Sequence, residues 1–192
     1  MAETSTSASA KNKGVADNND YCISSCTGFC CKEYTVLITS LDVRRIVDHV
    51  PGIKANHFVE FYDGDIDVLN EFPRILINGS EYCLGIRVSE RTGACTFQMG
   101  SGGCGIHKFS PLVCQAYPWT LDTLGNITIM NDPLCRDVFM PHNPERTKAI
   151  IRRCWKESAV YLKKVQHWNE EFGRNDFNRQ SDFLRFAGCR ND

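Results

Sequence analysis

The chain has 192 residues, with 22 basic and 23 acidic side chains and a formal net charge of −1, a length that suits one domain with an appendage. The even balance excludes the surplus of Lys and Arg that a nucleic-acid footprint or a polybasic membrane anchor needs, and no apolar run reaches the length of a membrane span. Hydrophobic (42%) and charged (23%) contents are those of an ordinary globular protein, whereas eleven cysteines are not.

In chain order, residues 1–18 are rich in Ser, Thr, Ala, Asn and Asp and hold too little apolar surface to offset the entropy of ordering. They are expected to form a disordered tail. They also lack an apolar signal core, so a cytoplasmic, reducing setting is expected. The first cysteine run follows, Cys22 to Cys31. The segment Glu33 to Thr39 is rich in β-branched residues and reads as a strand. Ser40 reads as the N-cap of a helix with Asp42 in its first turn, stopped by Pro51-Gly52. Lys54 to Tyr62 reads as a short helix, and Arg74 to Ile77 and Cys83 to Val88 as strands, the first ending in an Asn78-Gly79 turn.

Residues 93–118 hold the second cysteine region, interrupted by Gly100, Gly102, Gly103 and Gly105. Ser110-Pro111 signals a helix start, and Pro118 limits that helix to two turns. Ile127 to Met130 reads as a strand. Asn143 caps and Pro144 opens a long helix to Phe172, whose apolar face is Ile150, Ile151, Cys154, Tyr161, Leu162, Val165, Trp168 and Phe172. A short helix over 177–186 closes the chain. The expected organisation is therefore a 1–18 tail, a cysteine-cluster domain over 19–142 and a helical extension over 143–192. The fold class is α+β, a small, irregular, metal-organised domain with short strands and helices and a long C-terminal helix.

Cys22, Cys26 and Cys30 recur every four residues, with Cys31 adjacent to the last. Thiolates repel unless a cation neutralises them, so this density points to a metal or cluster. The second group is Cys95, Cys104, Cys114 and, further on, Cys135. The odd total and the adjacent pair fit a disulfide framework badly. Cys83, Cys154 and Cys189 read as core residues. Soft thiolates select zinc, copper(I) or iron–sulfur clusters. The chain has neither Cys-x2-Cys knuckles nor a ferredoxin run. Spacing therefore favours an iron–sulfur cluster over zinc by a small margin. The count allows two four-thiolate sites, or one site with spare thiols. His107 reads as a neighbour of the ligands, Tyr117-Pro118-Trp119 as a dry cover over the cluster, and Gly100 to Gly103 as a loop rather than a phosphate cradle.

The Cys-x3-Cys-x3-Cys-Cys opening and Ile38-Thr39-Ser40-Leu41-Asp42 are carried by residues 22–42. Gly93-Ala94-Cys95-Thr96-Phe97, Cys104-Gly105-Ile106-His107 and Pro111 to Trp119 follow. Together they resemble the YkgJ-type cysteine-cluster proteins, zinc- or iron-chelating domains, over residues 20–140. His107, Ser110 and Gln115 stand where that family has Tyr, Arg and Arg. The resemblance implies metal or iron–sulfur binding by Cys22, Cys26, Cys30, Cys31, Cys95, Cys104 and Cys114; Cys135 extends the set on position alone. Three functions fit: a 4Fe–4S redox or oxidoreductase component; a protein-lysine methylase using S-adenosylmethionine, since flagellin lysine N-methylases carry a related cluster; and a zinc-stapled interaction module without catalysis. The partner would be a redox protein or protein substrate, with neither nucleic acid nor membrane involved. Whether the chain is an enzyme stays open.

Overall fold

A computed structural model describes residues 28–63, 72–100, 102–131, 135, 141, 143–175 and 178–189. Cys22, Cys26 and the 1–18 tail lie outside the described residues. The class is α+β, with small antiparallel sheets and a long C-terminal helix. The first turn of helix is α1, Cys30–Glu33. Helix α2, Ser40–His49, starts one residue earlier than Ser40 as cap would allow. Thr39 is the N-cap: its hydroxyl accepts the Asp42 N–H, and the Asp42 carboxylate accepts the Thr39 N–H. That reciprocal box needs an acceptor three residues on, which Thr39 finds in Asp42 and Ser40 would not find in Val43.

The stretch read as a helix over 54–62 divides. Only α3, Ala55–Phe58, is helical, and β1, Val59–Asp63, follows with alternating burial. Strands β2, Ile75–Ile77, and β3, Ser80–Ile86, form a hairpin across Asn78-Gly79, both at positive φ (50° and 77°) as a tight primed turn demands. The sheet order is β1-β3-β2. Gly85 pairs with Glu60 of β1 on one side, and Leu37 bridges it on the other. Of the segment expected as a strand over 33–39, only Glu33 belongs to α1; the rest runs beside β3, bonded through Ile38 N–H to Leu84 O (2.9 Å) and Ile86 N–H to Val36 O (2.9 Å), with Leu37 as an isolated bridge.

Helix α4, Leu112–Ala116, follows a 3-10 turn at His107–Phe109. Strands β4, Trp119–Leu121, and β5, Ile127–Ile129, pair antiparallel, and the Tyr117–Pro118 peptide is cis. Helix α5, Pro144–Glu171, is capped by the Asn143 side chain. Helix α6, Gln180–Phe186, closes the fold; it is shorter than the expected 177–186, and Phe177 lies outside the described residues.

The main core joins Ile38, Val43, Ile46, Phe58, Phe61, Ile75 and Leu84 to Tyr161, Val165 and Trp168 of α5 and Phe183 of α6. A smaller cluster packs Trp119 and Ala116 on Ile151. Of the apolar positions expected on α5, Leu162 and Phe172 are exposed, while Thr147 is buried instead. Side chains of α5 also take the place of a further strand on β2. Trp168 Nε1 donates to Leu76 O (2.9 Å), Asn169 Oδ1 accepts the Leu76 N–H (2.8 Å), and Asn169 Nδ2 donates to Arg74 O (2.7 Å). An otherwise open sheet edge is closed in this way. Among the described residues no helix is long and apolar enough to cross a membrane.

Candidate metal centre

None of the nine described cysteines is in a disulfide. Five come into one neighbourhood from three separate segments: Cys30 and Cys31 on α1, Cys95 and Cys104 in the glycine-broken loop, and Cys114 on α4. Backbone contacts of long range hold the segments together. The Cys95 N–H donates to Cys31 O (2.7 Å), and Gln98 Nε2 donates to Gly28 O (3.2 Å). The loop itself closes through the Gln98–Cys104 bridge and the Gly105 N–H to Phe97 O bond (2.9 Å). Gly28 (φ +68°) sits at the seam. A Cβ there would lie under 3.0 Å from both Gln98 Nε2 and the Gly102 carbonyl oxygen, so only glycine lets the two cysteine regions meet.

The proximity registers in the acidity of the thiols. Cys30 is lowered to about 7, chiefly because the Cys31 thiol donates to it, while that same bond and then burial raise Cys31 far above the ordinary value. Burial pushes Cys95 up to about 11, with repulsion from Cys104 and Cys30 adding to it; N–H groups of Phe97 and Gln98 pull the other way. Burial also raises Cys104, opposed by the Ile106 N–H. Cys114 is driven well above the ordinary thiol by desolvation and then by Cys95, Cys104 and Cys30. Its residue is nevertheless exposed by surface area. For Cys114, then, the crowding of thiols is the firmer cause. Backbone N–H groups aimed at sulfur are the arrangement that stabilises a thiolate once a cation is present.

These thiols are neighbours rather than a closed cage. Among the described residues no three His, Cys, Asp or Glu side chains stand close enough together to hold a metal ion. As a donor set they still fit a soft metal or an iron–sulfur cluster: five sulfurs, with N–H donors already directed at three of them, Cys30, Cys95 and Cys104. Cys135 is half-buried beside Tyr117. Its N–H donates to the Tyr117 hydroxyl (2.9 Å), and Tyr117 packs edge-on against Tyr34 (centroids 5.7 Å, interplanar angle 75°). Trp119 is buried against Ile151 and Ala116, where it braces α5. His107 is half-buried in the turn after Cys104. Cys83 is buried on β3, and Cys189 is buried with its thiol donating to Ser40 O (3.7 Å). Cys154 sits near Asp42 and Glu157.

Sequence reasoning missed two supporting residues. Gln98 joins the regions as described. Asp42 is buried and receives four hydrogen bonds. Oδ2 accepts from the Thr39 N–H (3.0 Å) and hydroxyl (2.8 Å), and Oδ1 accepts from Arg45 Nη1 (2.6 Å) and the Leu112 N–H (3.0 Å). The Thr-x-x-Asp spacing marks the cap, but nothing local marks the bond to Leu112.

The family model CxxCxxCC, described as "Putative zinc- or iron-chelating domain", matches residues 21–136, a span that includes nine of the eleven cysteines. No curated protein and no solved structure matches the chain.

Proposed function

The chain belongs to the CxxCxxCC family of zinc- or iron-chelating domains, and from that premise we propose that it binds an iron–sulfur cluster of the 4Fe–4S type and serves as a redox component in the cytoplasm. The observation that carries this reading is the mutual influence of Cys30, Cys31, Cys95, Cys104 and Cys114, brought together from three segments. Cys22 and Cys26, which precede Cys30 at steps of four residues, would complete an all-sulfur donor set. Such a set suits a cluster, and its potential would follow from hydrogen bonds to sulfur and from burial. The bound cluster would supply one-electron chemistry. The chain's own residues would hold it: α1 and the 95–104 loop present sulfurs, N–H groups of Phe97, Gln98 and Ile106 offset their charge, and Tyr34 with Tyr117 flanks the site. The partner would be a redox protein.

The test is anaerobic purification with iron, sulfide and zinc measured on one sample. Brown protein with broad visible absorption and equal iron and sulfide supports the cluster. Colourless protein with stoichiometric zinc and no sulfide overturns it in favour of a zinc-stapled module.

A further inference from the structure

We infer that Asp42 is the positioning residue of the thiol cluster: a helix cap supplied from a distant element, which fixes α4 and so the Cys114 sulfur against the other thiols. The inference rests on reading those thiols as ligands, but it is carried by separate geometry. Helix α4 has five residues, and an isolated helix of that length does not hold together. Its first N–H groups need acceptors. The residue at its N-cap is Pro111, which supplies no side-chain cap bond. The Leu112 N–H instead reaches Asp42 Oδ1 at 3.0 Å, 70 residues away in sequence.

The carboxylate is suited to this work because it cannot turn. Asp42 is 4% exposed, and a buried carboxylate is costly unless fully paired. Thr39 occupies one oxygen twice, while Arg45 and Leu112 share the other. Arg45 supplies the compensating charge and reaches on to Glu157 of α5, which also holds Arg153 (2.7 Å). Asp42 thus ties the start of α2, the start of α4 and the middle of α5 to one rigid acceptor. Cys114, two residues beyond Leu112, lies within reach of the Asp42 charge. Asp42 touches no metal; it acts through Cys114.

A double-mutant cycle separates this role from general stability. Asp42→Ala and Cys114→Ser are made singly and together, and retention of iron, sulfide and zinc is measured by chelator competition. Removing a group that orients a ligand costs about tenfold or more in metal affinity. That loss is expected for Asp42→Ala alone, less than about twofold of further loss is expected once Cys114 is serine, and Asp42→Asn, which keeps an acceptor for Leu112, should recover part of it. Equal losses in both backgrounds overturn the inference. If Asp42→Ala does not fold, Asp42→Asn carries the same cycle. Wild-type protein that holds no metal refutes the metal reading instead. The cap is then read in the metal-free chain by hydrogen exchange, where Asp42→Ala should speed exchange at Cys114 to Ala116 while β3 is unchanged. Unaltered exchange in α4 overturns it.

Discussion

Gly28→Ala tests whether the two cysteine regions are joined as the structure shows. Three costs follow from the geometry. Alanine at φ +68° occupies the left-handed region, worth about 1–2 kcal/mol. The new methyl overlaps Gln98 Nε2, so that side chain must swing away from Gly28 O and lose its bond, about 1 kcal/mol. It also overlaps the Gly102 carbonyl oxygen, and backbone can yield only by moving the loop, at about 1–3 kcal/mol. The sum is about 3–6 kcal/mol, a large share of the 5–15 kcal/mol typical of a domain. Because the obstructing carbonyl belongs to the loop that carries Cys104, relief of the clash displaces that sulfur from Cys30.

The assay is guanidinium unfolding of wild type, Gly28→Ala and Gly28→Ala/Gln98→Ala, with metal content measured on each. Truncating Gln98 removes one obstacle but forfeits the same bond to Gly28 O and leaves the carbonyl, so it should restore little of the loss. A Gly28→Ala protein within about 0.5 kcal/mol of wild type, the scale of an ordinary surface change, would refute the seam. Full rescue by Gln98→Ala would refute the role given to Gly102.

Replacing Cys30 and Cys31 together with Ser should abolish metal retention, because both stand in the thiol neighbourhood, while Cys154→Ala should leave metal content unchanged; metal surviving the double change would overturn the ligand assignment. Asn169→Ala breaks two bonds to the edge of β2 and orphans the Leu76 N–H, so denaturant unfolding should show a loss of about 2–3 kcal/mol; a neutral result would mean that edge is not closed by α5. Cys189 is held neutral in the fold, pushed by burial from 9.0 up to about 12. A thiol whose folded value is raised stabilises the fold fully below pH 9 and loses that stabilisation as pH climbs towards 12. At about 1.4 kcal/mol per pH unit the loss approaches 4 kcal/mol. Cys189→Ala should flatten the fall in stability over that window, and an unchanged slope would refute it.

What the sequence makes legible here is short-range. Asn78-Gly79 requires a turn, Asn143-Pro144 starts a helix, and the steps of three and four along α5 foretell Ile151, Tyr161, Val165 and Trp168 on its buried side. The errors arise where a distant partner decides. Val59 to Asp63 has a helix-compatible pattern until β3 offers a ladder to pair with. Trp119 lies beside the cysteines in sequence, and α5 passes close enough to bury it. The density of cysteines shows that sulfur matters, whereas the bonds that bring them together, Cys95 to Cys31 and Leu112 to Asp42, link positions 64 and 70 residues apart.

Those same distances divide the molecule into parts that should respond differently to metal removal. The sheet, α5 and α6 share a buried core of Ile75, Leu84, Tyr161, Trp168 and Phe183, against which Cys95 and Cys104 of the proposed site pack only from its margin. Apolar burial there does not depend on a cation. The 95–105 loop leans on that core through Cys95, Phe97 and Cys104, with the Phe97 ring on Phe58 (centroids 5.2 Å), while α4 packs Ala116 on Ile151 of α5. Otherwise the loop relies on single backbone bonds and on the thiols themselves. Chelation should therefore raise hydrogen exchange at Cys95, Gln98, Met99 and Gly102, spare Phe58 and the β1–β3 ladder, and leave the α5 spectrum intact. Such local opening is the behaviour of a region with few buried apolar contacts. A chain that unfolded throughout on losing metal would show that the core cannot stand by itself, and that the cysteine loops are a keystone of the fold rather than a site mounted on it.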